Sequence, residues 1–139
     1  MLSRQRERHR QGGTRAVAAA VAERVAALLA QHAGRLLTTD HVLVETWYLA
    51  ASRLGVDVAE RLVDGIRAGV ARVENTLGSD LEAAASMREA FGDQDCSIVD
   101  RTSWSVMIRL GVHEALGFDR DYAVFRFGRR RSQAFTVYS

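Results

Sequence analysis

Apolar residues recur every three or four positions from Thr14 to about His32, with Val17, Val21, Val25, Leu28 and Leu29 on one face. That is the spacing of an amphipathic helix, and Gly34 stops it. Leu36-Leu37-Thr38-Thr39 is short, apolar and β-branched at its end, which suits a buried strand. Asp40 is placed to cap a helix running to Leu54 and closed by Gly55. A further helix is expected from Asp57, with Glu60 completing a capping-box pair, to about Arg67–Gly69. Val70 to Glu74 alternates apolar and polar, as a strand does. Ser79 and Glu82 form a second such pair, opening a helix to Phe91. After the loop Gly92-Asp93-Gln94, either Asp95 or Ser97 caps a helix to Leu110 that Gly111 ends. Strands are expected at about Ala115–Phe118 and Phe135–Tyr138.

Strands separated by helices predict an α/β fold with a mainly parallel sheet covered on both faces. In such sheets, sites form at the carboxyl ends of the strands. With 139 residues the chain is expected to form one domain over 14–139, preceded by an irregular basic segment, 1–13, that ends in Gly12-Gly13. No internal repeat, P-loop, dinucleotide fingerprint or zinc-type Cys/His spacing is present.

Composition changes this picture little. Hydrophobic content of 47% and charged content of 26% describe a globular chain. All 19 basic residues are Arg, and the net charge is only +2. The arginines are unevenly placed, however. Arg4, Arg6, Arg8 and Arg10 crowd one end, and Arg126, Arg129, Arg130 and Arg131 the other. Such clusters hold phosphates or remain as solvated tails. Cys96 is alone, which excludes a disulfide framework and fits a reducing, cytoplasmic compartment. His9, His32, His41 and His113 lack the spacing of metal ligands and read as surface or capping residues. Glu23 and Arg24 interrupt the apolar run after the basic N-terminus, and no stretch approaches the roughly 20 apolar residues of a membrane helix, so no membrane partner is expected.

Three acids stand in otherwise apolar settings: Glu45 in HVLVETWYLA, Asp100 in CSIVDRTSW and Asp119 in ALGFDRDY. An apolar setting is costly for a carboxylate unless it is paired, hydrogen-bonded or bound to a cation. Gathered in one place they would raise one another's pKa, which makes a divalent metal a natural partner. Three separate buried salt bridges would satisfy the same residues.

The runs carrying these acids resemble motifs of the PIN-domain nucleases. Residues Thr38 to Trp47 are similar to the second acidic motif, Asp93 to Ser103 to the third, and Gly111-Val112 with Ala115 to Arg120 to the fourth. The resemblance covers roughly residues 35–127, and the nearest subgroup is the VapC-type toxins of prokaryotic toxin–antitoxin pairs. It implies a three-layer α/β/α sandwich and metal-dependent cleavage of RNA. Glu45, Asp100 and Asp119 would be the catalytic, metal-binding acids. Ser103 would be a hydroxyl near the site and Arg120 a phosphate-steering residue, although Arg120 could equally pair with Asp121. Mg²⁺ or Mn²⁺ would activate a water to attack the phosphodiester. Single-stranded or loop RNA, an antitoxin-like protein and a second copy of the chain are the implied partners.

The front of the chain departs from the family. PIN domains begin with a short apolar strand ending in Asp, whereas Met1 to Arg8 has neither, and the first Asp is Asp40. The first strand and one acid are therefore expected to be missing, which an altered start of the reading frame would explain. The alternative reading is a weakly active or inactive PIN-like interaction protein that binds an antitoxin-like partner.

Overall fold

The computed structural model describes residues 20, 23, 24, 27–90, 96–116 and 136–138. The chain divides into two compact units, residues 1–33 and 34–139. In the first, residues 27–31 are helical, and the helix closes with His32 N donating to Leu28 O at 3.2 Å. The expected Arg clusters at both ends, Asp119 and Arg120 all lie outside the described residues.

The second unit alternates strand and helix, as the hydrophobic pattern predicts. Strand β1, Leu37–Thr39, pairs in parallel with β2, Arg72–Glu74, with Leu37 opposite Arg72 and Thr39 opposite Glu74. Strand β3, Glu114–Leu116, pairs in parallel with β4, Thr136–Tyr138. The described strands form these two separate pairs. No strand precedes Leu37 among the described residues.

Between the strands lie helices α1, Asp40–Leu54, α2, Val56–Gly65, α3, Gly78–Ala90, and α4, Ile98–Leu110. Helices α1 and α2 pack on each other, as do α3 and α4, and α1 also touches α4. A five-residue π turn, Ile66–Val70, follows α2 and breaks at Gly69, whose φ of 129° suits only glycine.

The caps correct three expectations. Thr39, not Asp40, caps α1, its hydroxyl accepting from Val42 N at 3.4 Å. Helix α2 starts after Gly55 without a side-chain cap, because Glu60 is engaged elsewhere, accepting the Trp47 indole N–H at 2.9 Å. At α3 the reach-back comes from Asp80, which accepts Leu77 N at 2.8 Å, so the Ser79–Glu82 pair is not the cap. Ser97 and Asp100 do form a full capping box on α4. Gly111 ends α4 in the left-handed conformation at φ 66°.

Helix α4 is the centre of this unit. Thr102 to Met107 are all buried, so the helix is enclosed on every face. Trp104 and Met107 are packed by Met87, Cys96, Val112 and Ala115. The buried hydroxyls turn back on their own helix: Thr102 donates to Ile98 O at 2.7 Å, Ser103 to Val99 O at 2.9 Å and Ser105 to Arg101 O at 2.9 Å. Each buried hydroxyl is thereby satisfied without a neighbour's help.

Arg109 fastens the far end of α4. Its Nε donates to Asp80 Oδ1 at 2.9 Å and its Nη2 to Asp80 Oδ2 at 3.0 Å, while a second Nη2 bond reaches Asn75 O at 3.2 Å. Glu74 Oε1 lies 3.5 Å from Nη1. Asp80 is 2% exposed. The Arg109 hydrogen bonds hold its carboxyl below the ordinary 3.8 against the upward pull of burial, with help from the Leu77 amide.

Two outcomes follow from this arrangement. Trp104→Ala is expected to cost about 3–5 kcal/mol in denaturant unfolding, since it empties the largest buried site. A carboxyl whose folded pKa is depressed stabilises fully above its unfolded value, here 3.8, and loses that contribution as pH falls through the lower folded value. The melting temperature should therefore drop on acidification below about 3.8, and Asp80→Asn should show a shallower drop over the same window.

Candidate functional site

The carboxyl ends of β1 and β2 lead directly into a cluster of polar side chains. Thr39 ends β1 and Asp40 and His41 open α1, while Thr76 follows β2 by two residues. Asp40 Oδ1 accepts from His41 N at 2.8 Å, from Thr76 N at 3.1 Å and from the Thr76 hydroxyl. Burial pulls the Asp40 carboxyl up, but these donors and the nearby His41 ring outweigh it and hold the carboxyl below the ordinary 3.8. The His41 ring then bridges outward, Nδ1 lying 2.7 Å from Thr76 Oγ1 and Nε2 3.0 Å from Ser103 Oγ on α4. Thr39 Oγ1 is 3.3 Å from the same Nε2.

A serine, a histidine and an aspartate in series invite a nucleophile reading, and the geometry argues against it. Ser103 is 6% exposed and directs its hydroxyl at Val99 O. Thr76 stands between His41 and Asp40. The order therefore serves to join three segments of chain.

Two of the three candidate acids lie on the helices that carry this cluster. Glu45 lies one turn beyond His41 on α1, and Asp100 lies three residues before Ser103 on α4, so each shares a helix face with a member of the His41–Ser103 bond. Contrary to the apolar setting expected of it, Glu45 is exposed, and it has no partner among the described residues. Asp100 is half-buried at a helix start, where its Oδ2 accepts the Ser97 hydroxyl at 2.7 Å and the Ser97 amide at 3.3 Å. The described carboxylate buried in the unit is Asp80, which is paired with Arg109. Among the described residues no three acids, histidines or cysteines form a group that could hold a metal. Asp119 and Arg120 lie outside them. Glu45 and the second oxygen of Asp100 are hard donors left free among the described residues, and in that respect they fit a hard divalent cation.

His41 was read from sequence as a surface or capping residue, and the structure corrects that. Its side chain is 20% exposed and is held at both ring nitrogens. Its partners lie 35 and 62 residues away, so no local pattern could announce them. A cleft of about 490 Å³, bordered by Leu36, Arg67, Val70 and Arg72, opens at the other, amino ends of β1 and β2 and takes no part in the cluster.

No family model matches the chain. It is 33% identical over 92 residues to VapC20 of Mycobacterium tuberculosis, described as a 23S rRNA-specific endonuclease. That match covers 66% of this chain and 70% of the relative, and it recurs in two strains, CDC 1551 / Oshkosh and ATCC 25618 / H37Rv. The crystal structure of Mycobacterium tuberculosis VapC20, described as a sarcin–ricin loop cleaving toxin, superposes with a TM-score of 0.59 at 35% identity. This covers 63% of this chain and 68% of the other. Parallel strand pairs, intervening helices and this extent of identity together place the chain in the VapC-type family of PIN-domain toxins.

Proposed function

We propose that this chain is a divalent-metal-dependent endoribonuclease of the toxin–antitoxin type, acting on a structured loop of ribosomal RNA. The observation that carries the reading is the identity to VapC20 across 70% of that relative's length. VapC toxins act on RNA and pair with VapB antitoxins, and an antitoxin of that kind is the expected protein partner. Among the described residues no helix is long and apolar enough to cross a membrane, and RNA in the cytoplasm is the proposed target.

Glu45, Asp100 and Asp119 would hold the cation, Mg²⁺ or Mn²⁺, through carboxylate oxygens. When bound, the cation would supply the positive charge that offsets charge building up on the scissile phosphate. The chain's own residues divide the remaining work. Exposed, and unpaired among the described residues, Glu45 would offer its carboxylate to the cation. The capping box fixes Asp100 by one oxygen and leaves the other for the site. Arg120 and the arginines at 126 and 129–131 would take neighbouring phosphates of the RNA. A splayed loop suits such a site because its backbone is accessible where a paired helix is not.

The outer face of α1 and α2 is the proposed meeting surface for an antitoxin or a second copy. Tyr48 and Leu54 are each 66% exposed, and Leu62 on α2 is 41% exposed. Trp47 beside them is half-buried, its indole on Glu60 and its ring edge-on to Tyr48 at 5.2 Å.

Two measurements test these readings. With Mg²⁺ or Mn²⁺ and a sarcin–ricin-loop hairpin as substrate, Glu45→Gln and Asp100→Asn should each lower kcat by about 100-fold or more. Asparagine retains an acceptor for Ser97, so a folded but inactive Asp100→Asn isolates the charge. Cleavage that persists in both variants would refute the assignment of these acids. Light scattering after size exclusion should give a dimer mass that Leu54→Glu shifts to monomer, and a monomer at high concentration would count against self-association.

A further inference from the structure

His41 is a polar group that the proposed chemistry leaves without a task. Its ring joins three segments that are distant in sequence: the first turn of α1, the residues after β2, and the second turn of α4. Hydrogen counting fixes how it does so. The Thr76 hydroxyl has one proton, which it donates to Asp40, so toward the ring it can only accept. The 2.7 Å contact therefore needs a proton on Nδ1. In the neutral ring Nε2 is then an acceptor, and it competes with Val99 O for the single Ser103 proton. When the Ser103 proton goes to Val99 O, the Thr39 hydroxyl at 3.3 Å is the donor left for Nε2, so both ends of the ring stay engaged and rotating it breaks two bonds at once.

Helical spacing turns this tie into a statement about the acids. Glu45 stands four residues beyond His41 and Asp100 three residues before Ser103. A bond between His41 and Ser103 thus sets the face of α1 that carries Glu45 against the face of α4 that carries Asp100. We propose that His41 is a positioning residue, fixing the separation of Glu45 and Asp100 by holding Thr76 through one ring nitrogen and Ser103 through the other. This rests on the nuclease reading given above. Packing alone would ask only for a flat ring at this place, since the side chain is 20% exposed. The two directed bonds are what a phenyl ring cannot supply.

The test uses the full chain with His41→Phe, which keeps the ring's bulk, and His41→Gln, which keeps one hydrogen-bonding end. Ser103→Ala removes the α4 arm alone and stands in should His41→Phe fail to fold. Five quantities are read: melting temperature, kcat and KM on the RNA hairpin, affinity for Mn²⁺ alone by calorimetry, and amide exchange over residues 39–45. His41→Phe is expected to melt within a few degrees of the parent and to keep KM within about twofold. Its kcat should fall by about 100-fold, the scale of an ångström-sized misplacement. Its Mn²⁺ affinity should weaken about 10-fold, as when a group that orients a ligand is lost. His41→Gln should recover part of both.

Parent-like kcat and Mn²⁺ affinity in a folded His41→Phe would overturn the proposal. A loss of melting temperature, kcat and KM in proportion would also overturn it, since that is the mark of a purely structural residue. If the parent chain neither cleaves the hairpin nor binds Mn²⁺, the nuclease reading fails by itself. Amide exchange then decides the tie: faster exchange at 39–45 in His41→Phe supports it, and unchanged exchange overturns it.

Discussion

A helix with six successive residues buried must satisfy the hydroxyls it carries, and that constraint on α4 governs the rest of this unit. Six successive residues, Thr102 to Met107, are buried, and three of them bear hydroxyls. Bonds to carbonyls one turn back let those hydroxyls be buried at little cost. At its ends α4 carries charged residues that face different tasks. Asp100 sits at the amino end, where the helix dipole favours a negative charge. Arg109 sits at the carboxyl end, where the same dipole favours a positive one, and there it meets a buried Asp80. Removing Arg109 leaves the buried Asp80 carboxylate with the Leu77 amide but no cation on it, whereas Glu74 still faces Arg109 when Asp80 is removed, and the hydroxyls could be lost one at a time.

Side chains that leave the helix fasten its neighbours. Arg101 Nη1 reaches Ala84 O on α3 at 2.7 Å, which requires the two helices to lie close, and the fully buried Ala84 presents almost no side chain to keep them apart. Ser103 reaches His41 on α1, and Arg109 reaches the segment between β2 and α3. Every element around the polar cluster is thus referenced to one rod. On the proposed reading, Asp100 takes its position from this rod directly and Glu45 takes it through α1.

What the sequence revealed follows from how far apart the interacting groups are. Helix α4 was legible at both ends because its cap, Ser97 with Asp100, and its stop, Gly111, act within a few residues. Alternation of strands and helices was enough for the α/β class and for parallel pairing. Two of the misread caps share a cause: Asp40 and Glu60 each resemble local helix starters, yet tertiary partners decide what they bind. Asp40 is claimed by Thr76 and Glu60 by Trp47. Asp80 serves both its own helix and Arg109, 29 residues away. Glu45 and Asp100 are candidates because of the motifs around them and not because of burial, since Glu45 is exposed. His41 and Thr76 carried no such signal, because their bonds span 35 residues and more.

Those separations also set an order of assembly. The caps of α1 and α4 close loops of a few residues and cost little entropy. The Asp40–Thr76 and His41–Ser103 bonds must gather chain 36 and 62 residues apart, and reward that cost only after both ends have arrived. On a ribosome, α1 emerges long before α4 has been translated, so Glu45 exists for a time as an ordinary exposed carboxylate on a lone helix. The polar cluster closes only when Ser103 has cleared the exit tunnel, and the Asp80 clamp only after Arg109 has followed. The polar cluster at the carboxyl ends of β1 and β2 is therefore among the last parts of this unit to form.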